Sequence, residues 1–352
     1  MHPRARQDVL HSVQILRIIA ALAVAWFHIE PTFAPVLGTS AVQKLLTTGS
    51  AGVDIFFVIS GFIIWTSTTA ETNPADFLYR RAARIYTALW PAVLIFAAAV
   101  LVLGLNLPSG ASFLRSLILI DVNPTAAGHG LYVTWSLTYE LVFYAGFAGV
   151  LFAGRQWAPL VAMVAISVVL LARYAEASSI AEVPVLFTDL RWFEFLGGCL
   201  VAHLCQKGVP RWLQAGSVLL GLVFFAIGIF QKGWFGQTHY VLFFGGGAML
   251  LLLAVPTLET LLRNPVGARL AHMGNWSYGL YLLHPTVILF MGIANLWSGL
   301  PAPLFFLLSF IVYTALCLAV SALYFTYVEE PLLRRSKAFR RRLQTRSLVR
   351  PA

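Results

Sequence analysis

Long runs of apolar residues, each interrupted by few polar positions, follow one another along almost the whole chain. Each run has about the 17–25 residues that a helix needs to cross a bilayer. Because the runs are continuous and do not alternate between apolar and polar residues, they predict helices and not the strands of a barrel. About ten spans are predicted, near 13–33, 50–69, 88–107, 134–153, 157–174, 188–205, 212–230, 240–256, 275–295 and 302–326. The predicted fold is all-α, a polytopic bundle of transmembrane helices.

Composition supports an integral membrane protein. Hydrophobic residues make up 59% of the 352 residues, charged residues only 11%, and the mean hydropathy is +0.80. A soluble domain has roughly 25% charged residues. The three cysteines lie in or beside apolar runs without the spacing of a metal site, so no metal is expected. The net charge of +10 is concentrated in the tail and in alternate loops, so we expect no nucleic-acid partner.

The distribution of lysine and arginine predicts the orientation. With the N-terminus in the cytoplasm, eighteen of the 24 basic residues fall on the inner side and four on the outer side. The positive-inside rule therefore predicts that both termini are cytoplasmic. The chain divides into a transmembrane domain, residues 1–334, and a basic cytoplasmic tail, residues 335–352. We expect the chain after Pro331 to be frayed against anionic lipid.

The first span carries two polar side chains, Arg17 and His28. Eleven residues are about three helical turns, so both point to nearly the same face, about 16 Å apart along the axis. An ionisable group inside a membrane normally faces a protein interior or a wet cavity and marks function. The alternative is an arginine that reaches the interface and a histidine bonded to a neighbouring helix.

The second span contains Asp54 and the pair Ser60-Gly61. An acid near the end of a span needs water or a cationic partner. The small pair allows close approach of a ligand or of another helix, and helix packing is the favoured interpretation for that pair alone.

An arginine cluster, Arg80, Arg81 and Arg84, follows in the next inner loop. On a helix, Arg80 and Arg84 would share a face with Arg81 beside them. Guanidinium groups suit bidentate binding of phosphate, although inner loops carry arginines for topological reasons as well.

Two later spans add polar groups. The fourth begins with Trp135-Ser-Leu-Thr-Tyr139-Glu140, which places a carboxylate inside an apolar helix. In the ninth, Ser277, Tyr281 and His284 are spaced i, i+4 and i+7 and form one polar stripe, which favours a cavity wall. The last span ends at an acidic pair, residues 329–330, which we expect to pair with arginines of the tail or of the cluster.

Six segments in this order resemble the acyltransferase 3 family, multi-span membrane enzymes that O-acetylate bacterial surface sugars. The resemblance covers about residues 14–334. Within the family, the chain is similar to the exopolysaccharide-acetylating branch found in rhizobia and relatives. One departure is Thr87, which occupies the usual proline position of the arginine motif. The matching segments are Arg17-x10-His28, Gly52-Val-Asp-Ile-Phe-Phe-Val-Ile-Ser-Gly-Phe62, Arg80-Arg81-Ala-Ala-Arg84-Ile85, Trp135-Ser-Leu-x-x-Glu140, Ser277-Tyr…Tyr281-Leu-Leu-His284 and Val328-Glu329-x-Pro331.

The resemblance implies transfer of an acetyl group from acetyl-CoA to a sugar hydroxyl, with no permanently bound cofactor. In this interpretation His28 is the general base, because a neutral imidazole accepts a proton near pH 7. Glu140 would orient or balance His28, and Arg17 would hold the donor or stabilise the oxyanion. The cluster at 80, 81 and 84 would bind the CoA phosphates. Candidate substrate-binding residues are Asp54, Ser60, Trp135, Tyr139, Ser277, Tyr281 and His284.

The implied partners are acetyl-CoA, a glycan or lipid-linked sugar as acceptor, the lipid bilayer and polysaccharide-assembly proteins. The implied location is the bacterial inner membrane. An acyl-histidine intermediate would use the same residues as direct transfer. Two other classes stay open, a transporter or flippase for a glycan or lipid-linked sugar and a glycan polymerase. The chain has no obvious inverted repeat of the kind that many transporters carry, and only one sizeable outer loop.

Overall fold

In the computed structural model, helices dominate the residues that the structure describes, 10–231, 237–294 and 299–349, and no strand occurs within them. The helices are α1 (His11–Leu37), α2 (Ala41–Thr47), α3 (Gly52–Thr66), α4 (Pro74–Val102), α5 (Gly110–Ile118), α6 (Trp135–Ala153), α7 (Ala158–Ala177), α8 (Val185–Thr188), α9 (Trp192–Lys207), α10 (Arg211–Phe230), α11 (Gln237–His239), α12 (Gly246–Leu253), α13 (Val255–Leu262), α14 (Pro265–Met273), α15 (Ser277–Ala294), α16 (Ala302–Tyr324) and α17 (Glu330–Val349). Two π-helical turns, Tyr240–Gly245 and Phe325–Glu329, precede α12 and α17. The predicted all-α class is confirmed.

Seven helical segments of the described chain are long and apolar enough to cross a membrane. They are His11–Leu37, Ala41–Thr66, Pro74–Val102, Tyr132–Ala153, Arg155–Ala177, Arg211–Phe230 and Ala302–Arg342. The predicted sixth and ninth spans correspond to α9, with 16 residues, and α15, with 18. The count of about ten spans and the cytoplasmic position of the termini stay predictions. Four residues used to predict orientation, Arg4, Arg6, Lys232 and Arg350, lie outside the described residues.

The predicted eighth span is not one straight helix. Residues Tyr240–Leu253 and Val255–Leu262 meet at an angle of 63°. The bend falls at Ala254, and a proline occupies the first turn of α13. Proline lacks the N–H that would continue the helical bonding, and its ring clashes with the preceding turn. The chain therefore bends there.

The third predicted span, 88–107, begins too late. A single helix, α4, starts at Pro74 after the N-cap residue Asn73, whose Oδ1 accepts from Asp76 N at 3.0 Å. The arginine cluster therefore lies on the first turns of this helix and not in a loop. Thr87 does not interrupt α4, and its hydroxyl donates to the carbonyl of Ala83 at 2.6 Å.

The prediction of a frayed tail is wrong for the residues up to 349. The chain continues from the π-helical turn into α17, which passes through the predicted boundary at 334/335. Two contacts fix α17 to the first turns of α4. Arg340 forms an ion pair with Asp76, and the hydroxyl of Tyr79 lies 2.9 Å from that of Ser336. The basic helix is held against the bundle because Asp76 satisfies one of its guanidinium groups.

The contact between α3 and α9 is the closest helix crossing that bears on the site. A Cβ at Gly61 would lie 2.0 Å from the carbonyl oxygen of Phe195, and one at Gly198 would lie 2.1 Å from that of Val58. Only glycine permits this approach. The interpretation of Gly61 as a packing residue is confirmed, and the contact fixes the neighbouring Ser60.

We predict that Gly61→Ala lowers the free energy of unfolding in detergent by about 1–3 kcal/mol, because the helices must separate to admit a methyl group. The matched control is Gly146→Ala in α6, where a Cβ meets nothing within 4 Å. The control is expected to unfold at the same denaturant concentration as the parent or at a slightly higher one. Equal stability of the two variants would contradict this account of the crossing.

Candidate active site

A cavity of about 580 Å³ lies between α1, α3, α4, α6 and α15. The predicted site residues that line it are Arg17, Ser60, Arg81, Arg84, Glu140 and Tyr281. These six come from five helices that are far apart in the sequence. We call the end of the bundle at which the three arginines lie the arginine end.

The arginines of the cavity are only partly satisfied by protein groups. One guanidinium nitrogen of Arg17 donates to Gln14 Oε1 at 3.0 Å. Arg81 donates to Ser67 Oγ at 2.6 Å, and its guanidinium lies 5.6 Å from the ring centres of Phe77 and Tyr144. A guanidinium has five N–H donors, so donors are left over for a ligand.

Arg84 pairs with a buried carboxylate on the last span. Its guanidinium lies 3.8 Å from Glu329 Oε1, and the side chain of Glu329 is 1% exposed. Glu330 is bound by Arg334 of α17 at 2.7 Å. The prediction that the acidic pair meets arginines of the cluster and of the tail is confirmed. Glu329 closes a π-helical turn, a rare element that is frequent at functional sites.

Glu140 lies at the arginine end and does not contact His28. Its Oε1 accepts from Ser60 Oγ at 2.8 Å and from the hydroxyl of Tyr144. The prediction that Glu140 orients His28 through direct contact is wrong. Glu140 packs beside α3 at the level of Ser60, whereas His28 is about three turns beyond Arg17 on α1.

His28 pairs with His284 instead. Nδ1 of His28 lies 3.1 Å from Nε2 of His284 and 2.9 Å from the carbonyl oxygen of Val24. Nδ1 of His284 lies 3.2 Å from the carbonyl oxygen of Leu280. His284 is 1% exposed, while His28 is half-buried.

Tyr281 lies next to both the cavity and the histidine pair. The rings of Phe56 and Tyr281 lie 5.9 Å apart, and both residues line the cavity. The hydroxyl of Tyr281 donates to the carbonyl of Val133 at 2.8 Å and lies 2.7 Å from Ser136 Oγ. The ring of His284 is 6.1 Å from that of Tyr281. His28 does not line the cavity.

The three residues of the polar stripe of α15 therefore have three different environments. Tyr281 faces the cavity, and His284 faces His28. The hydroxyl of Ser277 is fully buried and donates to the carbonyl of Gly274 at 2.7 Å. The prediction that the whole stripe forms a cavity wall is wrong for Ser277 and His284, because helical spacing fixes the face but not which neighbour covers each turn.

Arg80 does not join the other two arginines in the cavity. It lies 3.7 Å from Asp76 and its side chain is 44% exposed. On the helical wheel, residue 84 lies between the other two, about 40° from 80 and about 60° from 81, so the spacing alone does not decide which of them borders the cavity. The arginines of α4 that line the cavity are therefore Arg81 and Arg84, and not the expected pair Arg80 and Arg84.

Asp54 belongs to a buried ion cluster on the other side of the bundle. Its Oδ1 lies 3.3 Å from Nε of Arg191, and a second nitrogen of Arg191 lies 3.1 Å from Asp189. The guanidinium also stacks 5.2 Å from the ring centre of Trp135, which packs edge-on against fully buried Tyr139. None of these residues lines the cavity. Arg191 supplies the cation that Asp54 needs, and substrate binding by Asp54, Trp135 and Tyr139 stays a prediction.

Sequence reasoning gave no role to several groups of the cavity. Gln14 stands three residues before Arg17, the spacing that places side chains on one helical face, and this signal was available. Tyr278 and Tyr144 also line the cavity. Tyr278 lies inside a quoted motif and Tyr144 lies one turn after Glu140, but aromatic residues in an apolar helix carry no signal of their own.

A family model described as an acyltransferase domain, acyltransferase 3, matches residues 10–324. The chain therefore belongs to this family of acyltransferases. No solved structure matches it.

Two curated relatives match along most of their length. One is the exopolysaccharide production protein ExoZ of Rhizobium meliloti, 33% identical over 306 residues, with 84% of this chain and 92% of the relative covered. The other is the acyltransferase MdmB of Streptomyces mycarofaciens, 29% identical with 92% of each chain covered. The peptidoglycan O-acetyltransferase OatA of Listeria monocytogenes is 24% identical, and this chain covers 56% of it.

We predict that Arg191→Met lowers the free energy of unfolding by about 3–5 kcal/mol, because it leaves buried carboxylates without their cation. The matched control is Arg115→Met, whose side chain is 46% exposed and lies 3.8 Å from Asp121. That change is expected to cost less than about 1 kcal/mol. Denaturation in detergent micelles measures both. An Arg191 variant as stable as the control would show that the cluster does not hold the bundle.

Proposed function

We propose that this protein is an O-acyltransferase that moves an acetyl group from acetyl-CoA to a hydroxyl of an exported polysaccharide or its lipid-linked precursor. The observation that carries the proposal is the cavity at the arginine end, which three arginines and one carboxylate line, together with a histidine pair that reaches this cavity through the ring of Tyr281. The ExoZ relative is named for exopolysaccharide production and OatA for O-acetylation, which supports this class of acceptor.

The donor binds from the arginine end in this proposal. Acetyl-CoA carries several phosphates, and Arg81 and Arg84 present planar donors that match phosphate geometry. Arg17 lies deeper along α1, where its free N–H groups meet the thioester carbonyl and stabilise the negative charge that develops on its oxygen. Glu140 balances these cations through the cavity and keeps Ser60 and Tyr144 in place.

His28 is the general base of the proposed reaction. Its Nε2 accepts the proton of the sugar hydroxyl while the oxygen attacks the acyl carbon. The C–S bond then breaks, and the proton passes to the leaving thiolate of CoA. An acyl-histidine at Nε2 would use the same atoms in two steps. Either route requires the acyl group to reach His28, which does not line the cavity and is linked to it through the rings of His284 and Tyr281.

The proposed location is the bacterial inner membrane with both termini in the cytoplasm. The charge asymmetry of the sequence supports this orientation. It places the arginine end, together with α17, on the side where acetyl-CoA is made. His28 then lies towards the outer half of α1.

We predict that a null strain complemented with the parent gene gains acetate ester in its surface polysaccharide, and that complementation with His28→Ala does not. Without the base, transfer is expected to fall at least about 100-fold. The measurement is alkali-labile acetate per unit of polysaccharide, at equal amounts of protein in the membrane. Full ester content with His28→Ala would exclude His28 as base, and no ester with the parent would exclude this acceptor.

The arginines allow a second test within one helix. We predict that Arg81→Ala raises KM for acetyl-CoA about tenfold or more, because the variant loses a charge-assisted hydrogen bond to the donor. Arg80→Ala, one residue away but outside the cavity, is expected to change KM less than threefold. Initial rates in inverted membrane vesicles at varied acetyl-CoA measure both. Equal effects of the two changes would mean that CoA does not bind in the cavity.

A further inference from the structure

The hydrogen bonds of the histidine pair fix where its protons reside. Nδ1 of His28 faces the carbonyl oxygen of Val24, and Nδ1 of His284 faces that of Leu280. A carbonyl oxygen only accepts, so a ring nitrogen that faces it closely must carry a proton. Each neutral ring has one proton to place. Both rings are therefore protonated at Nδ1.

The opposite assignment is unfavourable at two places. If Nε2 of His284 donated to His28, the Nδ1 lone pair of His28 would face the Val24 oxygen at 2.9 Å. The Nδ1 lone pair of His284 would likewise face the Leu280 oxygen at 3.2 Å. Two pairs of acceptors would then stand against each other in a buried site, which is costly. The first arrangement has no such conflict.

In the favoured arrangement Nδ1–H of His28 donates to the Nε2 lone pair of His284 at 3.1 Å, sharing its proton with Val24. The proton-free nitrogen of His28 is then Nε2. None of the described residues hydrogen-bonds to Nε2, and it is not among the enclosed atoms that lack a partner. The nitrogen that acts as base is thus the one with access to a substrate.

We propose that His284 is a positioning residue, which sets the tautomer of His28 and stabilises the imidazolium that forms when His28 takes the substrate proton. The bond from Nδ1–H to His284 becomes charge-assisted at that moment and strengthens. This is the role that a carboxylate performs in a serine-hydrolase triad, performed by a neutral imidazole in an apolar site. The proposal rests on the proposed function, in which His28 is the base.

The surroundings suit a neutral partner. His284 is 1% exposed and packs in the bundle between the ring of Tyr281 and that of His28. A carboxylate at this depth would need its own cation, whereas an imidazole needs only the Leu280 carbonyl for its second nitrogen. Its lone pair is therefore fixed towards His28.

The test compares two replacements of His284 of similar size. His284→Gln retains an acceptor, because the glutamine amide oxygen reaches the position of Nε2, and His284→Leu removes it. We expect kcat to fall about 100-fold in the leucine variant and less than about tenfold in the glutamine variant. KM for acetyl-CoA is expected to change less than twofold in both, since His284 does not line the cavity.

The assay is incorporation of labelled acetate from acetyl-CoA into alkali-labile ester in inverted vesicles of the complemented null strain, per amount of folded protein. The control is His239→Leu, which removes a buried histidine bonded to the carbonyl of Gly228 at 2.9 Å, away from the site, and should leave kcat unchanged. Equal losses in the glutamine and leucine variants, or a leucine variant with kcat within threefold of the parent, would overturn the proposal.

The same experiment separates this inference from the proposed function. Absence of acetate incorporation with the parent protein would exclude the proposed acetyltransferase function itself. Full activity of His28→Ala would exclude His28 as the base but would leave the assignment as an acetyltransferase standing. The role of His284 alone is rejected when the parent is active, His28→Ala is inactive, and the His284 variants either lose activity equally or include a leucine variant with kcat within threefold of the parent.

Discussion

Charged and polar groups inside an apolar bundle must find partners, and this constraint organises the structure. Helix α3 satisfies it at two levels at once. Near its start, Asp54 meets Arg191, and two turns later Ser60 binds Glu140 at the arginine end. The glycine contact at Gly61 keeps α3 against α9, which follows directly after Arg191. The ion cluster and the cavity therefore depend on the placement of one helix.

Much of the site was predictable because a polar residue within a membrane span is costly to retain. Arg17, Glu140 and His28 stood out for this reason alone, and the order of the motifs added the family. The helical class followed from run length. Boundaries failed where local chemistry decides them, as at Asn73, whose cap and the following proline start α4 fourteen residues before the predicted span.

Pairings between helices were beyond the reach of one sequence. Periodicity shows which residues share a face, but it does not show which neighbour covers that face. Glu140 and His284 both follow the predicted spacing, yet Glu140 binds Ser60 and His284 takes the place expected for Glu140 beside His28. Arg80 and Arg81 differ only by the rotation of α4, and the packing of the bundle determines that rotation.

The position of the histidine pair outside the cavity bears on which class of mechanism fits. A thioester held beside a base and water would hydrolyse, so a transferase gains from keeping its donor apart from its base until the acceptor arrives. In the proposed function the distance between the cavity and the histidine pair has this effect, and the bonds of the Tyr281 hydroxyl to Val133 and Ser136 hold its ring in place at the cavity. A transport route would need polar groups along one continuous path. Here the three arginines line the cavity and the histidine pair does not, an arrangement that favours two substrates meeting over one solute passing through.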